Sequence, residues 1–148
     1  MQLTRAADYA VRVMIHLAGM TPGARVSRTE LAQAAECPEQ FLSKVLQGLA
    51  RAGLVVSHRG NTGGFELPEP HRRITLLQVV EAIEGPLGLN DCLTGETTCS
   101  RQEWCPAHMI WAETQTAMET ILKRWSIEDM ARRASARQLG AGARGASR

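Results

Sequence analysis

Cys92, Cys99 and Cys105 fall within fourteen residues of a chain that has one other cysteine, Cys37, and His108 stands three positions past the last of them. Where thiols are kept reduced, cysteines at this density are ligands or sensors rather than disulfide partners. Six residues separate the first two cysteines and five the next two. Structural zinc knuckles use gaps of about two to four residues, because a short turn aims both sulfurs at one ion. Wider loops suit the larger core of an iron–sulfur cluster, whose irons take terminal thiolates and in some centres histidine. Spacing alone leaves zinc open. Three thiolates also leave a fourth position, for which the chain offers His108, one helical turn past Cys105, and Asp8, which folding or a second subunit would have to deliver. Each has a plainer role as well. His108 can be an ordinary helix histidine, and Asp8 suits the first turn of a helix with Arg12 at i+4 to pair with it. Cys37, at a helix boundary, reads as a small buried residue.

The elements around these residues are legible from periodicity. Thr4 caps a first helix with Ala7, Ala10, Val11, Met14, Ile15 and Ala18 on one side, and Ser27-Arg28-Thr29-Glu30 has the capping-box pattern ahead of a short second helix. Cys37-Pro38 ends that helix and starts a third, with Pro38 at a first helical position and Phe41, Leu42, Val45, Leu46 and Leu49 as its buried stripe. A short helix, a tight turn and a longer helix match the helix-turn-helix arrangement. The β-branched run before His58, the glycine-rich turn Arg59-Gly60-Asn61-Thr62-Gly63-Gly64 and Phe65-Glu66-Leu67 predict a hairpin placed as a wing. A fourth helix is expected from Ile74 to Ile83. Then comes the cysteine loop, without periodicity, and a helix opening at Pro106. Ala107, Trp111, Thr114, Met118, Ile121 and Trp125 form a seam along it, widened by Ile110, Ala117 and Leu122. Packing on its own domain or on a second copy would cover that seam, and a twofold dimer is the economical answer. Ser126-Ile127-Glu128-Asp129 opens a short last helix ending near Arg133.

The expected fold is therefore mainly α with a small β-hairpin. A winged helix-turn-helix DNA-binding domain occupies residues 1–84, a cluster-binding loop 85–105, a long C-terminal dimerisation helix with a short terminal helix 106–134, and a disordered tail 135–148. Formal net charge is only +2, and residues 1–84 carry nine Lys and Arg against eight Asp and Glu, so a DNA surface must come from local placement. Residues 1–20 are too polar for a signal peptide, and no apolar run reaches bilayer length, which predicts a cytoplasmic protein with no membrane partner. No nucleophile with a nearby base, phosphate loop or cofactor fingerprint appears, so neither an enzyme nor a small-molecule substrate is expected.

Several of these features resemble one family together. The opening Met1-Gln2-Leu3-Thr4, Asp8-Tyr9-Ala10, the helix-turn-helix, the glycine-rich wing, the three-cysteine loop and Ile127-Glu128-Asp129-Met130 are similar to the bacterial Rrf2 regulators, the group containing IscR, NsrR and RirA, over about the first 133 residues. The resemblance implies a homodimeric winged-helix transcription factor whose iron–sulfur cluster, 2Fe–2S or 4Fe–4S, controls its affinity for DNA. His108 matches the histidine ligand of IscR-like members, and Asp8 matches the cross-subunit carboxylate of some NsrR-like members. The gap from Cys92 to Cys99 is one residue longer than the usual five of those relatives.

On this reading Gln40, Ser43, Lys44 and Gln47 face a major groove, and Arg59 of the wing enters the adjacent minor groove beside His58, Asn61 and Thr62. Arg28, Lys44, Arg51 and Arg59 supply phosphate contacts. Arg72 and Arg73 add to them or sit in a solvated turn. Dimer symmetry predicts a near-palindromic double-stranded operator, and the signal is nitric oxide, redox state or iron and cluster supply. The competing readings are a zinc-bound or metal-free winged-helix regulator, and an iron–sulfur electron carrier, which would need no wing.

Overall fold

The structure is a computed structural model that describes residues 3–68, 73–95 and 99–145, with residues 138–145 as backbone only. Its described elements are, in order, α1 (Arg5–Gly19), α2 (Arg28–Ala35), α3 (Glu39–Arg51), β1 (Val56–His58), β2 (Gly64–Glu66), α4 (Leu76–Glu84), α5 (Asp91–Thr94), α6 (Pro106–Arg124) and α7 (Ile127–Gly145). Helices dominate, with a single antiparallel hairpin in register Val56–Glu66, Ser57–Phe65 and His58–Gly64. Among the described residues no helix is long and apolar enough to cross a membrane.

The core forms around α1, whose Ala10, Val13, Met14 and Leu17 are buried against α2, α3, α4 and α7. The Thr4 hydroxyl caps α1 and also donates to Glu84 at the end of α4, which fixes how those two helices meet. Ser27 caps α2 by accepting from the Glu30 amide at 3.2 Å. Leu42, Val45, Leu46 and Leu49 of α3 are buried as one stripe. Phe41 is not part of it. One residue advances a helix by about 100°, so Phe41 falls on the flank, where it is 40 % exposed and meets Tyr9 edge-on with ring centroids 5.7 Å apart. Pro38 likewise sits one position earlier than expected, as the N-cap, and its carbonyl accepts from the Phe41 and Leu42 amides.

The wing has a third partner. Val26 and Phe65 exchange both backbone hydrogen bonds at 2.9 Å, so the segment ahead of α2 lies antiparallel to β2. Gly64 serves this contact, because a Cβ there would stand 2.8 Å from the Val26 carbonyl oxygen.

Two expectations are corrected toward the C-terminus. Ile74 is not helical; it lies extended and buried ahead of α4, whose cap is Thr75 in a capping box with Gln78. Its carbonyl accepts from the Ile127 amide at 2.9 Å, and the Leu76 amide donates to the Trp125 carbonyl at 2.8 Å, so the α6–α7 junction is stitched to the start of α4. The last helix, expected to end near Arg133 with a disordered tail after it, instead continues to Gly145. No proline interrupts that stretch, and Ala, Arg, Gln and Leu are good helix formers that offset its glycines. Residues 146–148 of the expected tail lie outside the described residues. Helix α7 packs back against α1. Ser126 caps α7, accepting from the Asp129 amide; Ile127 is buried in the same core as α1 with Met130 packed against it, and Ala131 is buried too. Ile127→Ala is expected to cost about 2–5 kcal/mol, the usual range for emptying a fully buried aliphatic site, seen as a lower urea midpoint with unchanged slope. A change near zero would show that α7 contributes little to the domain.

By contrast α6 stands out from the domain. None of its residues is fully buried, and it is held through half-buried Met118 and Leu122 against Leu77, Val80 and Leu87.

Candidate nucleic-acid interface and cysteine loop

On α3 the face opposite the buried stripe carries Gln40, Lys44, Gln47 and Arg51, spaced by four, three and four residues and all exposed. None of these side chains is hydrogen-bonded or ion-paired to another described residue, so their donors are free for an external acceptor. Ser43 lies beside them, but its hydroxyl donates back to the Glu39 carbonyl at 3.2 Å, which leaves it an acceptor role outward. Arg28, at the start of α2, pairs with Glu39 at 3.7 Å and shares a shallow groove with Ser43, Gln47 and Phe65. That ion pair is solvent-exposed and worth little, so the guanidinium can exchange it for a phosphate.

The wing tip presents Arg59, Asn61 and Thr62, all exposed. His58 is different: its Nε2 lies 2.8 Å from Glu66 Oε1 across the hairpin, while Arg25 Nε reaches Glu66 Oε2 at 3.5 Å. The hydrogen bond from His58, and then the charges of His58 and Arg25, hold the Glu66 carboxyl below the usual carboxylate range against the opposing effect of desolvation. Glu66 and Arg25 were not among the candidate residues. The pairing depends on strand register, and the only sequence signal was an acidic residue on the second strand diagonal to a histidine on the first. Arg73 is also engaged, donating to the Arg124 carbonyl at 3.0 Å and pairing with Asp129 at 3.4 Å, so it braces the α6–α7 junction. Arg72 lies outside the described residues.

In the cysteine loop the chain makes a helical turn that periodicity did not predict. Asn90 caps α5 through its side chain, and Cys92 sits in this one-turn helix. Cys105 is the N-cap of α6 with Pro106 as the next residue. His108, one turn on, therefore points back toward α5, where its Nδ1 lies 3.4 Å from Cys92 Sγ. Two ligands of one tetrahedral ion stand about 3.5 Å apart for ordinary metal–sulfur and metal–nitrogen lengths. The pair thus matches one edge of a metal site, and sulfur with imidazole is a donor set that iron and zinc both accept. The Leu89 amide donates to Gln115 Oε1 at 3.2 Å, which ties the start of the loop to α6. Cys99 is exposed and Cys105 half-buried, and among the described residues no three His, Cys, Asp or Glu side chains converge as a metal-binding group. The thiol of Cys37 is buried in the helix-turn-helix and its pKa raised by that burial, away from ligand chemistry.

Asp8 pairs with Arg12 at 2.8 Å. The same guanidinium donates to the Ala35 carbonyl at 3.3 Å and to Glu36 at 3.2 Å. Glu36 has φ of 53°, a left-handed conformation that side chains other than glycine rarely adopt, and it ends α2. Arg12 therefore braces the turn between the two helices as well as pairing with Asp8.

The chain matches the model of the Rrf2 family, described as iron-dependent transcriptional regulator, over residues 3–133. It is 36 % identical over 132 residues to protein aau3 of Rhizobium meliloti, covering 88 % of this chain and 84 % of that one. The structure of CymR, the global cysteine regulator of B. subtilis, superposes with a TM-score of 0.68 at 25 % identity, covering 88 % of this chain and 96 % of that one. IscR of T. potens shares the fold with a TM-score of 0.71 at 24 % identity, covering 90 % and 88 %. With the winged helix-turn-helix, the free polar face of α3 and a family match over most of its length, the chain is a DNA-binding transcriptional regulator, not an enzyme, and belongs to the Rrf2 family.

Proposed function

We propose that this regulator is a cytoplasmic homodimer whose grip on a near-palindromic operator is set by an iron–sulfur cluster held by Cys92, Cys99, Cys105 and His108. The observation that carries the reading is the 3.4 Å approach of His108 to Cys92, two donors 16 residues apart brought together by α5 and the first turn of α6. It favours His108 over Asp8 as the fourth ligand, since Asp8 is paired with Arg12. A bound cluster supplies iron sites whose nitrogen ligand leaves more readily than its thiolates, which suits sensing of nitric oxide, redox state or iron supply. The chain's part is mechanical. Cys92 belongs to α5, and Cys105 and His108 to the start of α6, so holding them together orders the loop between the DNA-binding core and the dimer arm. Each protomer then lays the Gln40, Lys44, Gln47 and Arg51 face of α3 in a major groove, with Arg28 on phosphate and Arg59, Asn61 and Thr62 of the wing beside the next minor groove.

A second reading is a cluster-free thiol sensor. The similarity to CymR, the global cysteine regulator of B. subtilis, supports it, as does the exposure of Cys99. Purification without oxygen, followed by visible spectroscopy and iron and sulfide analysis, separates the two. Coloured protein with iron and sulfide is expected, and footprints that differ between loaded and stripped protein. Colourless, iron-free protein that resists reconstitution would leave the thiol reading in its place.

A further inference from the structure

The Glu66 carboxylate joins three segments of the wing, taking His58 of β1 on one oxygen and Arg25 of the strand-like segment before α2 on the other. We propose that this clamp makes the wing a proton-gated phosphate contact, in which protonated His58 adds a second donor beside Arg59 and tightens DNA binding as pH falls. The proposal rests on the wing reading given above.

The chemistry follows from the two ring nitrogens. Nε2 faces Glu66 at 2.8 Å, and an ionised carboxylate only accepts, so Nε2 carries a hydrogen in either protonation state. The Nδ1 atom makes no hydrogen bond with a described residue. In the neutral ring it is a bare lone pair, which repels a phosphate oxygen. In the imidazolium it is a second N–H donor carrying positive charge. Glu66 thus fixes the tautomer, and protonation converts Nδ1 from acceptor to donor. The surrounding charges do not supply the same change. Arg25 is already paired with Glu66, Arg28 is paired with Glu39, and Arg59 is cationic throughout the neutral range. The low-lying Glu66 carboxyl stays ionised across that range, so it goes on accepting from Nε2 there.

The test measures binding of the full-length protein to a short fluorescein-labelled duplex of random sequence, by anisotropy, as a function of salt at about pH 6 and about pH 8. Each wing that gains a phosphate contact steepens the slope of log affinity against log salt by about 0.9. The wild-type slope is expected to be steeper at the lower pH by about 1 for each engaged wing. His58→Gln, which keeps a donor to Glu66, should lose that difference, and Glu66→Gln should move the midpoint of the pH profile to lower pH. His16, His71 and His108 are present in every variant, so their contributions cancel. A His58→Gln protein that keeps the wild-type pH dependence would overturn the proposal, as would an unmoved midpoint in Glu66→Gln. Arg59→Ala distinguishes the two levels of inference. It should lower the slope equally at both pH values; no change at either would remove the wing itself from the interface, whatever His58 does.

Discussion

Replacing Ile110 and Ile121 together by glutamate is expected to give a monomer and to weaken binding to a two-half-site operator by roughly 10²- to 10⁴-fold, the usual gain from joining two binding modules. The reason lies in how α6 divides its faces. His108, Ala112, Gln115, Met118, Glu119 and Leu122 are half-buried against their own protomer, whereas Ala107, Ile110, Trp111, Thr114, Ala117 and Ile121 are exposed. The second group is an apolar stripe along the helix, with Ile110 61 % and Ile121 52 % exposed. A contiguous patch of this kind on a small protein marks an interface, and a helix meeting its own copy about a twofold axis covers it on both subunits at once. Both sites are open to solvent in the protomer, so the carboxylates cost the monomer fold little. Sedimentation should show half the wild-type mass, with a thermal transition that stays cooperative and no longer depends on protein concentration. A variant that stays dimeric would place the interface elsewhere.

That stripe was readable in the sequence because its period is helical, yet the sequence placed the seam partly wrong. Met118 and Leu122 belong to the inward face, since α4 offers Leu77 and Val80 beneath them, and periodicity cannot say which of two apolar flanks meets which neighbour. The first three helices were legible for the opposite reason. Ser27 and Thr4 cap locally, and the stripe on α3 is wide enough to have one inward solution. Pairings between distant backbone segments left no such trace. Ile74 looked like the start of α4 because it is apolar and adjacent to Leu76 and Leu77, but its backbone pairs with Ile127. Val26 pairs with Phe65 across a gap that contains two helices, with no turn chemistry to mark it. The terminal helix was cut short at a glycine-rich stretch whose composition reads as disorder, while Ile127, Met130, Ala131 and Ala134 repeat at the three- and four-residue spacing of a face turned to α1. Of the candidate site, the donors of α3 and the wing tip emerged as free groups. His58 emerged with a partner that only strand register could supply.

The cysteine loop was legible as a set of donors and not as a geometry, and the second large effect follows from what the geometry adds. Cys92→Ser and Cys105→Ser are each expected to leave protein purified without oxygen free of iron and sulfide, because a serine hydroxyl at neutral pH does not replace a thiolate ligand. Each variant should bind operator with the affinity of stripped wild type, differing from loaded wild type by roughly 5- to 150-fold, the usual range of coupling between sites. The comparison of His108→Ala with Asp8→Ala then reads the fourth position. His108 stands 3.4 Å from Cys92 Sγ, so its loss should make the absorbance labile and lower the iron content. Asp8 faces Arg12, which keeps its bonds to the Ala35 carbonyl and Glu36 when the carboxylate is removed, so Asp8→Ala should retain both iron and fold. The reverse pattern, iron lost with Asp8 and kept without His108, would move the fourth ligand to the other subunit. It would also demand that the Asp8–Arg12 pair open in the loaded dimer. Retention of iron in Cys92→Ser would remove α5 from the site and with it the contact on which the sensing model stands.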